Sequence, residues 1–165
     1  MDIKKAKIKF ATIRDVPYRM PLSIEEDDNC CVGKHIRLKK ELEELGYEVR
    51  YRTCAFKWSD FHLPEKLQNI PHENDCTHLY LEFKNNNIWH TLDATWDQKL
   101  SPTFQINDWD GKTSTDIVVP ALETLSVEKS NEIVDTCYVK EVFDKDIKLN
   151  GVFYNAFNIW LESLR

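Results

Sequence analysis

The sequence predicts an α+β fold in which a helix headed by Cys31 packs on an antiparallel β-sheet. Apolar residues recur at helical spacing between positions 28 and 46. Apolar and polar residues alternate in two later stretches, 78–83 and 88–94, as in half-buried strands. Three asparagines, 85–87, separate those stretches, and asparagine tolerates the positive φ that a tight hairpin turn requires.

Length and composition indicate an ordinary globular chain. With 165 residues it is long enough to bury a real core, and we expect a single domain spanning residues 1–165. Hydrophobic residues make up 42% and charged residues 30% of the sequence, as in typical globular domains. The net charge is −6 and the basic residues are scattered, so nucleic acid and an anionic membrane surface are not expected partners.

The cysteines and the first residues favour a cytoplasmic protein. Five cysteines occur at irregular spacing without a Cys-x-x-Cys pair, so neither a disulfide framework nor a zinc ribbon is predicted. Reduced thiols are typical of the cytoplasm. Residues 1–10 alternate lysines with apolar residues and lack the apolar core of a signal peptide. No apolar run approaches the length of about 18 residues that spans a membrane.

Ahead of the cysteine helix, the sequence predicts a short helix and an acidic loop. Apolar residues at helical spacing predict a helix that ends before Val16-Pro17, where proline disfavours helical backbone. These residues are Ile3, Ala6, Phe10 and Ile13. The acidic run at 25–28 is either a solvated loop whose last member caps the next helix or a surface that selects a basic substrate.

The cysteine helix has start and stop signals. Asp28 or Asn29 is the expected N-cap, and Gly46 is the expected C′ residue. The predicted buried face carries Cys31, His35, Leu38, Leu42 and Leu45, and the opposite side Lys34, Arg37, Lys40, Glu41 and Glu44. Cys31 thus lies in the first turn, where free N–H groups and the helix dipole favour the thiolate. A small buried apolar residue is the alternative interpretation of this cysteine.

A strand and a long excursion are predicted next. Alternation predicts a half-buried strand at 47–51. Residues 55–74 contain two prolines and predict an irregular excursion, of the kind that often forms a binding or lid element. Its aromatic residues Phe56, Trp58 and Phe61 either line a substrate groove or attach the loop to the core.

The predicted hairpin brings a histidine and an aspartate together. With a two-residue turn at Asn85-Asn86, His78 lies directly opposite Asp93 on one face of the pair. A register shift of one residue would turn Asp93 to the other face, whereas a shift of two would make it a diagonal neighbour of His78. The position of the turn therefore decides whether these side chains can meet.

The last third of the chain has weaker signals. Residues 97–120 are loop-rich, with a turn at Trp109-Asp110-Gly111. Residues 128–148 give no clear pattern. Residues 152–164 carry an apolar helical face and predict a closing helix.

A helix-head cysteine, a strand histidine and an aspartate on the paired strand form the candidate triad Cys31, His78 and Asp93. In such a set the thiolate attacks a carbonyl carbon, the imidazole takes and returns a proton, and the carboxylate fixes the imidazole tautomer. We expect Asp93 to hold Nδ1–H of His78, leaving Nε2 towards Cys31. This chemistry needs no cofactor and no metal, and none is predicted.

Three motifs surround these residues: the helix from Cys31 to Leu45-Gly46, the stretch Thr77-His78-Leu79-Tyr80-Leu81-Glu82, and the stretch Trp89-His90-Thr91-Leu92-Asp93-Ala94-Thr95. Together they resemble the motifs of the transglutaminase-like superfamily, whose topology is similar to that of papain. The resemblance covers about residues 28–97, and the sequence is similar to bacterial and archaeal members of unassigned substrate. It implies a papain-like fold and a cysteine-nucleophile amide hydrolase or acyltransferase. The substrate would be a peptide, a protein or a small amide.

The resemblance implies that Cys31 is the nucleophile, His78 the general base and acid, and Asp93 the residue that orients the imidazole. His35 lies one turn from Cys31 on the same face, but we interpret it as a packing histidine because it has no visible carboxylate partner. Cys30 is interpreted as a small buried residue, because a vicinal disulfide is strained.

The sequence departs from the family ahead of the nucleophile. No Gln or Trp precedes Cys31, so its own backbone N–H is the one oxyanion donor that the sequence provides. A catalytically inactive peptide-binding module on the same fold is therefore the alternative function. Trp96 and Asp97 are expected either to shape the cleft or simply to end the strand.

Overall fold

The computed structural model describes residues 2–165, which form helices and a four-stranded sheet. The strands are β1 (Val49–Lys57), β2 (Asp75–Asn85), β3 (Ile88–Leu92) and β4 (Glu123–Thr124). The helices are α1 (Ile3–Arg14), α2 (Cys31–Glu44), α3 (Glu65–Gln68), α4 (Val127–Thr136) and α5 (Lys140–Glu162). The strand order is β3-β2-β1-β4 and every pairing is antiparallel. The predicted α+β class is confirmed.

Helix α2 packs against β2 and β1 and begins later than its polar flank suggests. Its N-cap is Cys30, so the predicted capping by Asp28 or Asn29 is wrong. Asp28 instead accepts the backbone N–H of Cys30 at 2.8 Å, which fixes the turn just ahead of the helix. At the other end Gly46 has φ +84, the left-handed conformation expected of a C′ glycine.

Two residues in the first turns of α2, Gly33 and Lys34, pack closely against other parts of the chain. Lys34, expected on the solvent side, is completely buried. Gly33 faces the backbone of the preceding loop, and a Cβ at this position would lie 2.0 Å from the carbonyl oxygen of Asp28. Glycine is therefore required where the loop crosses the helix.

The hairpin between β2 and β3 turns one residue later than predicted. Asn85 pairs with Ile88, so Asn86 and Asn87 form the turn, with φ of 50 and 62. Positive φ at both central residues is what a type I′ turn requires. The register therefore shifts by two residues, and Asp93, just past the end of β3, becomes a diagonal neighbour of His78 instead of lying directly opposite.

Other elements extend beyond their predicted limits. Strand β1 continues to Lys57, so the irregular excursion begins later than position 55. The unassigned stretch 128–148 contains most of α4 and the start of α5. Helix α5 begins at Lys140, well before the predicted closing helix. Its first half was not predicted because that part of the sequence has no clear apolar stripe.

The buried apolar residues form two clusters, and Cys31 belongs to the more aromatic one. That cluster includes Tyr18, Cys30, Cys31, Phe56, Trp58, Leu79, Trp96, Phe153 and Phe157. The second includes Ala6, Phe10, Leu38, Leu42, Leu81, Phe83, Leu92 and Trp109. Among residues 2–165, no helix combines the length and apolar composition that crossing a membrane would require.

Candidate active site

The three residues of the predicted triad lie together in the structure. Cys31 is the first residue of α2, His78 lies in β2, and Asp93 follows β3. Their exposed fractions are 8%, 2% and 1%, respectively. The imidazole of His78 hydrogen bonds with the carboxylate of Asp93 and, like Cys31, lines a small cavity beside the head of α2.

The ring orientation of His78 is the reverse of the expected one. Nε2–H donates to Oδ2 of Asp93 at 2.7 Å, which leaves Nδ1 as the ring nitrogen for Cys31. The expectation that Asp93 holds Nδ1–H is therefore wrong. The reason is the two-residue register shift, which places the carboxylate beyond the end of β3 instead of directly across the strand pair. The bond between His78 and Asp93 is nevertheless formed.

Asp93 is held by four hydrogen bonds. Oδ2 accepts from His78 and from the backbone N–H of Val118 at 3.1 Å. Oδ1 accepts from the backbone N–H of Thr95 at 3.1 Å and from its hydroxyl at 2.6 Å. Every favourable lone-pair direction of a carboxylate is thereby used, so the group is fixed in position and does not swing towards solvent.

The loop that follows the hairpin holds the segment around Asp93. The hydroxyl of Thr115 accepts the N–H of Asp93 at 2.8 Å, and the side-chain amide of Asn107 donates to its carbonyl at 3.0 Å. Sequence reasoning missed Asn107, Thr115 and Val118, because nothing in a loop-rich stretch signals which residue returns to the sheet. Thr95 is the last residue of the 89–95 motif, but its role as a hydrogen-bond donor to Asp93 was not predicted.

The charges along the triad support one another. Burial opposes protonation of His78, but the charge of Asp93 and its hydrogen bond raise the pKa of the imidazole to about 10. Burial likewise opposes ionisation of Asp93, but the charge and hydrogen bond of His78 lower the pKa of its carboxyl group to about 2. At neutral pH this favours an imidazolium beside a carboxylate.

The surroundings of Cys31 favour the thiolate form. A hydrogen bond from the Cys30 thiol lowers the pKa of Cys31 most; a hydrogen bond and the charge of His78 add to it and outweigh burial. The same contact with Cys31, together with burial, raises the pKa of Cys30 well above its ordinary value. Cys30 is buried, as expected, and is also the donor that stabilises its neighbour.

His35 bridges two parts of the backbone and does not act on the thiol. It is completely buried; its Nδ1 lies 2.7 Å from the carbonyl oxygen of Cys31, and its Nε2 accepts the N–H of Ala94 at 2.9 Å. Nδ1 must therefore carry the proton. Burial lowers the pKa of His35, which keeps the ring neutral and suits a structural brace.

Two cavities meet at Cys31. The smaller, of about 30 Å³, has mostly aromatic walls and has room for little more than a water molecule. Its walls include Tyr18, Phe56, Trp58, Phe61, His78 and Trp96. Trp58 also packs on Phe153 and Phe157, with ring centroids 5.0 and 5.3 Å away, so it attaches the excursion to the core as well as lining this small cavity.

The larger cavity, of about 230 Å³, is a groove between the head of α2, the start of β2 and helices α4 and α5. Its walls include Met20, Asp28, Cys31, Cys76, Tyr138 and Asp146. The hydroxyl of Tyr138 donates to Asp28 at 2.7 Å, and that of Tyr154 to Asp146 at 3.1 Å. Asp28 and Asp146 are the two charged side chains that line the groove, and both are acidic.

Asp97 lies beside the candidate triad and is not part of it. It is buried and accepts the N–H of Tyr18 at 3.0 Å and a guanidinium hydrogen of Arg165 at 2.8 Å. Trp96, beside it, packs on the Tyr18 ring with centroids 4.5 Å apart. Both residues therefore shape the aromatic wall beside Cys31.

Within residues 2–165, no group of three or more His, Cys, Asp or Glu side chains is placed to hold a metal ion. All five cysteines are free thiols. Comparison with protein-family models, with curated proteins and with solved structures gives no match for this chain.

Proposed function

We propose that this chain is a cysteine-nucleophile amide hydrolase or acyltransferase with a papain-like, transglutaminase-like fold. The observation that carries the proposal is the buried relay formed by Cys31, His78 and Asp93, in which His78 bonds to Asp93 at 2.7 Å and helps to lower the pKa of the Cys31 thiol. The chain order of a cysteine-headed helix, a histidine strand and an aspartate after the paired strand supports it. The five free thiols are consistent with a reducing cytoplasm as the place of action.

The chemistry follows from the protonation states of the relay. The Cys31 thiolate attacks the carbonyl carbon of an amide, and the imidazolium of His78 gives its Nδ1 proton to the departing amine. An acyl-enzyme thioester remains. Water or a second amine then attacks the thioester while His78 takes a proton back, and the thiolate is released. Asp93 stabilises the imidazolium throughout by accepting its Nε2–H.

The groove is the proposed route for the substrate. It is several times larger than the aromatic cavity, and Cys31 lines both. Its two carboxylates suit a peptide or small amide that is neutral or cationic near the reacting bond, because an anionic group would be repelled. The interpretation of the acidic run as a substrate-selecting surface thus applies to its last member, Asp28, which lies in the groove wall.

Thiol labelling separates activation from mere access. Cys76 and Cys137 are more exposed than Cys31, but burial raises the pKa of their thiols to about 12 and about 11. At pH 7, limiting iodoacetamide should therefore modify Cys31 first, as read by peptide mass spectrometry. Modification of Cys76 and Cys137 ahead of Cys31 would contradict an activated nucleophile.

A matched pair of histidine variants tests the base. His78→Gln should slow alkylation of Cys31 strongly, because it removes the imidazolium beside the sulfur. His35→Gln should lower the melting temperature but leave alkylation within a few-fold of wild type, because both hydrogen bonds of His35 are to backbone groups and neither is to the thiol. Slower alkylation in His35→Gln than in His78→Gln would show that the base has been misassigned.

The closed state of the site favours the second candidate, a peptide-binding module without turnover. With Cys31, His78 and Asp93 all less than a tenth exposed, a ligand can occupy the groove without reaching the sulfur. Under this alternative, a peptide library would yield ligands that bind the groove and protect Cys76 and Cys137 from alkylation. No acyl-enzyme would form with amide or thioester substrates in the same library.

A further inference from the structure

Lys34 is a buried cation that the relay itself does not use. It lies one helical turn after Cys31 and is completely buried. Its Nζ donates to the backbone carbonyls of Arg14 at 2.7 Å, Val16 at 2.9 Å and Thr95 at 2.6 Å. A lysine ammonium has three donors, so this arrangement uses each of them.

The environment of Lys34 has opposing effects on its charge. Burial lowers the pKa of Lys34 to about 7, while the carboxylates of Asp97, Asp93 and Asp15 act in the opposite direction. A buried ammonium is costly unless it is both hydrogen bonded and compensated by nearby charge. Only the protonated form can donate to three carbonyls at once, so the contacts themselves favour the ammonium.

Of the three carbonyls, that of Thr95 leads to the triad. The N–H and the hydroxyl of Thr95 both donate to Oδ1 of Asp93, while Oδ2 of Asp93 accepts from His78. Lys34 follows Cys31 by one turn of α2. The contacts therefore form a closed ring that leaves α2 at Cys31 and returns to it at Lys34.

His35 strengthens this connection without entering the ring. It joins the carbonyl of Cys31 to the N–H of Ala94, the residue between Asp93 and Thr95. Two consecutive residues of α2 thus hold the same short segment after β3. That segment lies beyond the end of β3 at Leu92, so Lys34 and His35 hold it on the side of α2, as Asn107 and Thr115 hold it on the side of the loop.

We propose that Lys34 is a positioning residue for the relay, whose ammonium holds Thr95 so that Asp93 keeps His78 directed at Cys31. This inference rests on the proposed function, since positioning matters only if Cys31 reacts. The competing explanation is a purely structural one, in which Lys34 joins α1 and the connection after it to α2. The two explanations differ in what happens to His78 when the ammonium is removed.

The test compares Lys34→Met with Leu38→Ala in the full chain. Methionine keeps much of the length and removes every donor, whereas Leu38 is a buried residue of the same helix in the other apolar cluster. Both variants should lower the melting temperature. Lys34→Met alone should also slow Cys31 alkylation at pH 7, by about tenfold, the effect of one charge-assisted hydrogen bond. Equal alkylation rates in Lys34→Met and Leu38→Ala would overturn the proposal.

A double-mutant cycle identifies the path. Thr95→Val removes the hydroxyl that donates to Asp93 and leaves the backbone carbonyl in place. If Lys34 acts through Thr95, the double variant should react little more slowly than Lys34→Met alone. Strictly multiplicative effects on the alkylation rate would show that Lys34 acts elsewhere. Lys34→Gln, which retains an amide donor, should recover part of the rate and provides a second variant if Lys34→Met does not fold.

An NMR titration of the His78 ring tests the positioning role of Lys34 independently of the proposed function. A wild-type protein whose Cys31 is not selectively alkylated would contradict the catalytic role, but the His78 pKa could still be measured. Loss of positioning should move that pKa down in Lys34→Met and Lys34→Gln and leave it unchanged in Leu38→Ala. An unchanged His78 pKa in both Lys34 variants would refute positioning, whatever the reactivity of the thiol.

Discussion

Replacing Asp93 by asparagine tests the relay with a minimal change in shape. The amide has one acceptor oxygen where the carboxylate has two. Its oxygen can take the place of Oδ2 and still accept from His78 and Val118. Its NH₂ group then faces Thr95, whose hydroxyl can turn to accept, but whose backbone N–H loses its partner. The substitution therefore keeps the ring orientation of His78 and removes one charge and one acceptor.

Two magnitudes follow from these contacts. Leaving one buried N–H unpaired costs about 1–3 kcal/mol of stability, or a fall in melting temperature of about 2–12 °C for a chain of this size. Replacing a charged acceptor of the imidazolium by a neutral one removes about 1.5–3 kcal/mol. At 1.36 kcal/mol per factor of ten, Cys31 alkylation at pH 7 should slow by about 10- to 100-fold.

The assay measures the Cys31 alkylation rate and the melting temperature of the same Asp93→Asn sample. Asp97→Asn is the matched control, because this second buried aspartate bonds to Tyr18 and Arg165 and not to His78. It should destabilise the protein and slow alkylation less than Asp93→Asn does, because its charge acts on the relay only through Lys34. If Asp93→Asn alkylates at the wild-type rate, the carboxylate does not support the imidazolium and the reasoning fails.

Two further predictions concern the head of α2. Cys30→Ala should slow Cys31 alkylation by about 2- to 10-fold, because it removes a thiol donor worth about 0.5–1.5 kcal/mol. Cys30→Ser keeps a donor and should react nearly as wild type. Equal alkylation rates for the two variants would exclude a stabilising contact from Cys30 to the Cys31 sulfur. Gly33→Ala should lower the free energy of unfolding by about 1–3 kcal/mol, because the added Cβ would meet a backbone oxygen at 2.0 Å. In Gly151→Ala the nearest atom is a side-chain methyl carbon at 3.2 Å, so urea unfolding should show a smaller loss or a gain.

The sequence was most informative where the signal is local. The stripe of apolar residues and Gly46 predicted α2 almost to its ends, and the alternation predicted β2 and β3. The hairpin turn was misplaced by one residue because three consecutive asparagines tolerate positive φ equally well, so local propensity cannot choose between Asn85-Asn86 and Asn86-Asn87. The choice depends on packing of the two strands, which a single sequence does not reveal.

Lys34 shows why the supports of the site were missed. A lysine between apolar positions is normally solvated, and the interpretation as part of the polar side followed that rule. Its partners are backbone carbonyls, which every residue has and which leave no trace in the sequence. The same holds for Val118, which serves Asp93 only through its N–H. Side chains of the triad are predictable from residue type, whereas the backbone groups that hold them are not.

Charge balance explains how a relay of ions can exist in so closed a site. A thiolate at Cys31, an imidazolium at His78 and a carboxylate at Asp93 sum to one negative charge, in surroundings where each isolated ion would be strongly disfavoured. The ammonium of Lys34 brings that sum to zero without adding a further proton donor to the sulfur. The second buried carboxylate, Asp97, has its own counter-ion in Arg165, at 2.8 Å. The two buried carboxylates near Cys31, Asp93 and Asp97, thus each have a cation fixed by a hydrogen bond.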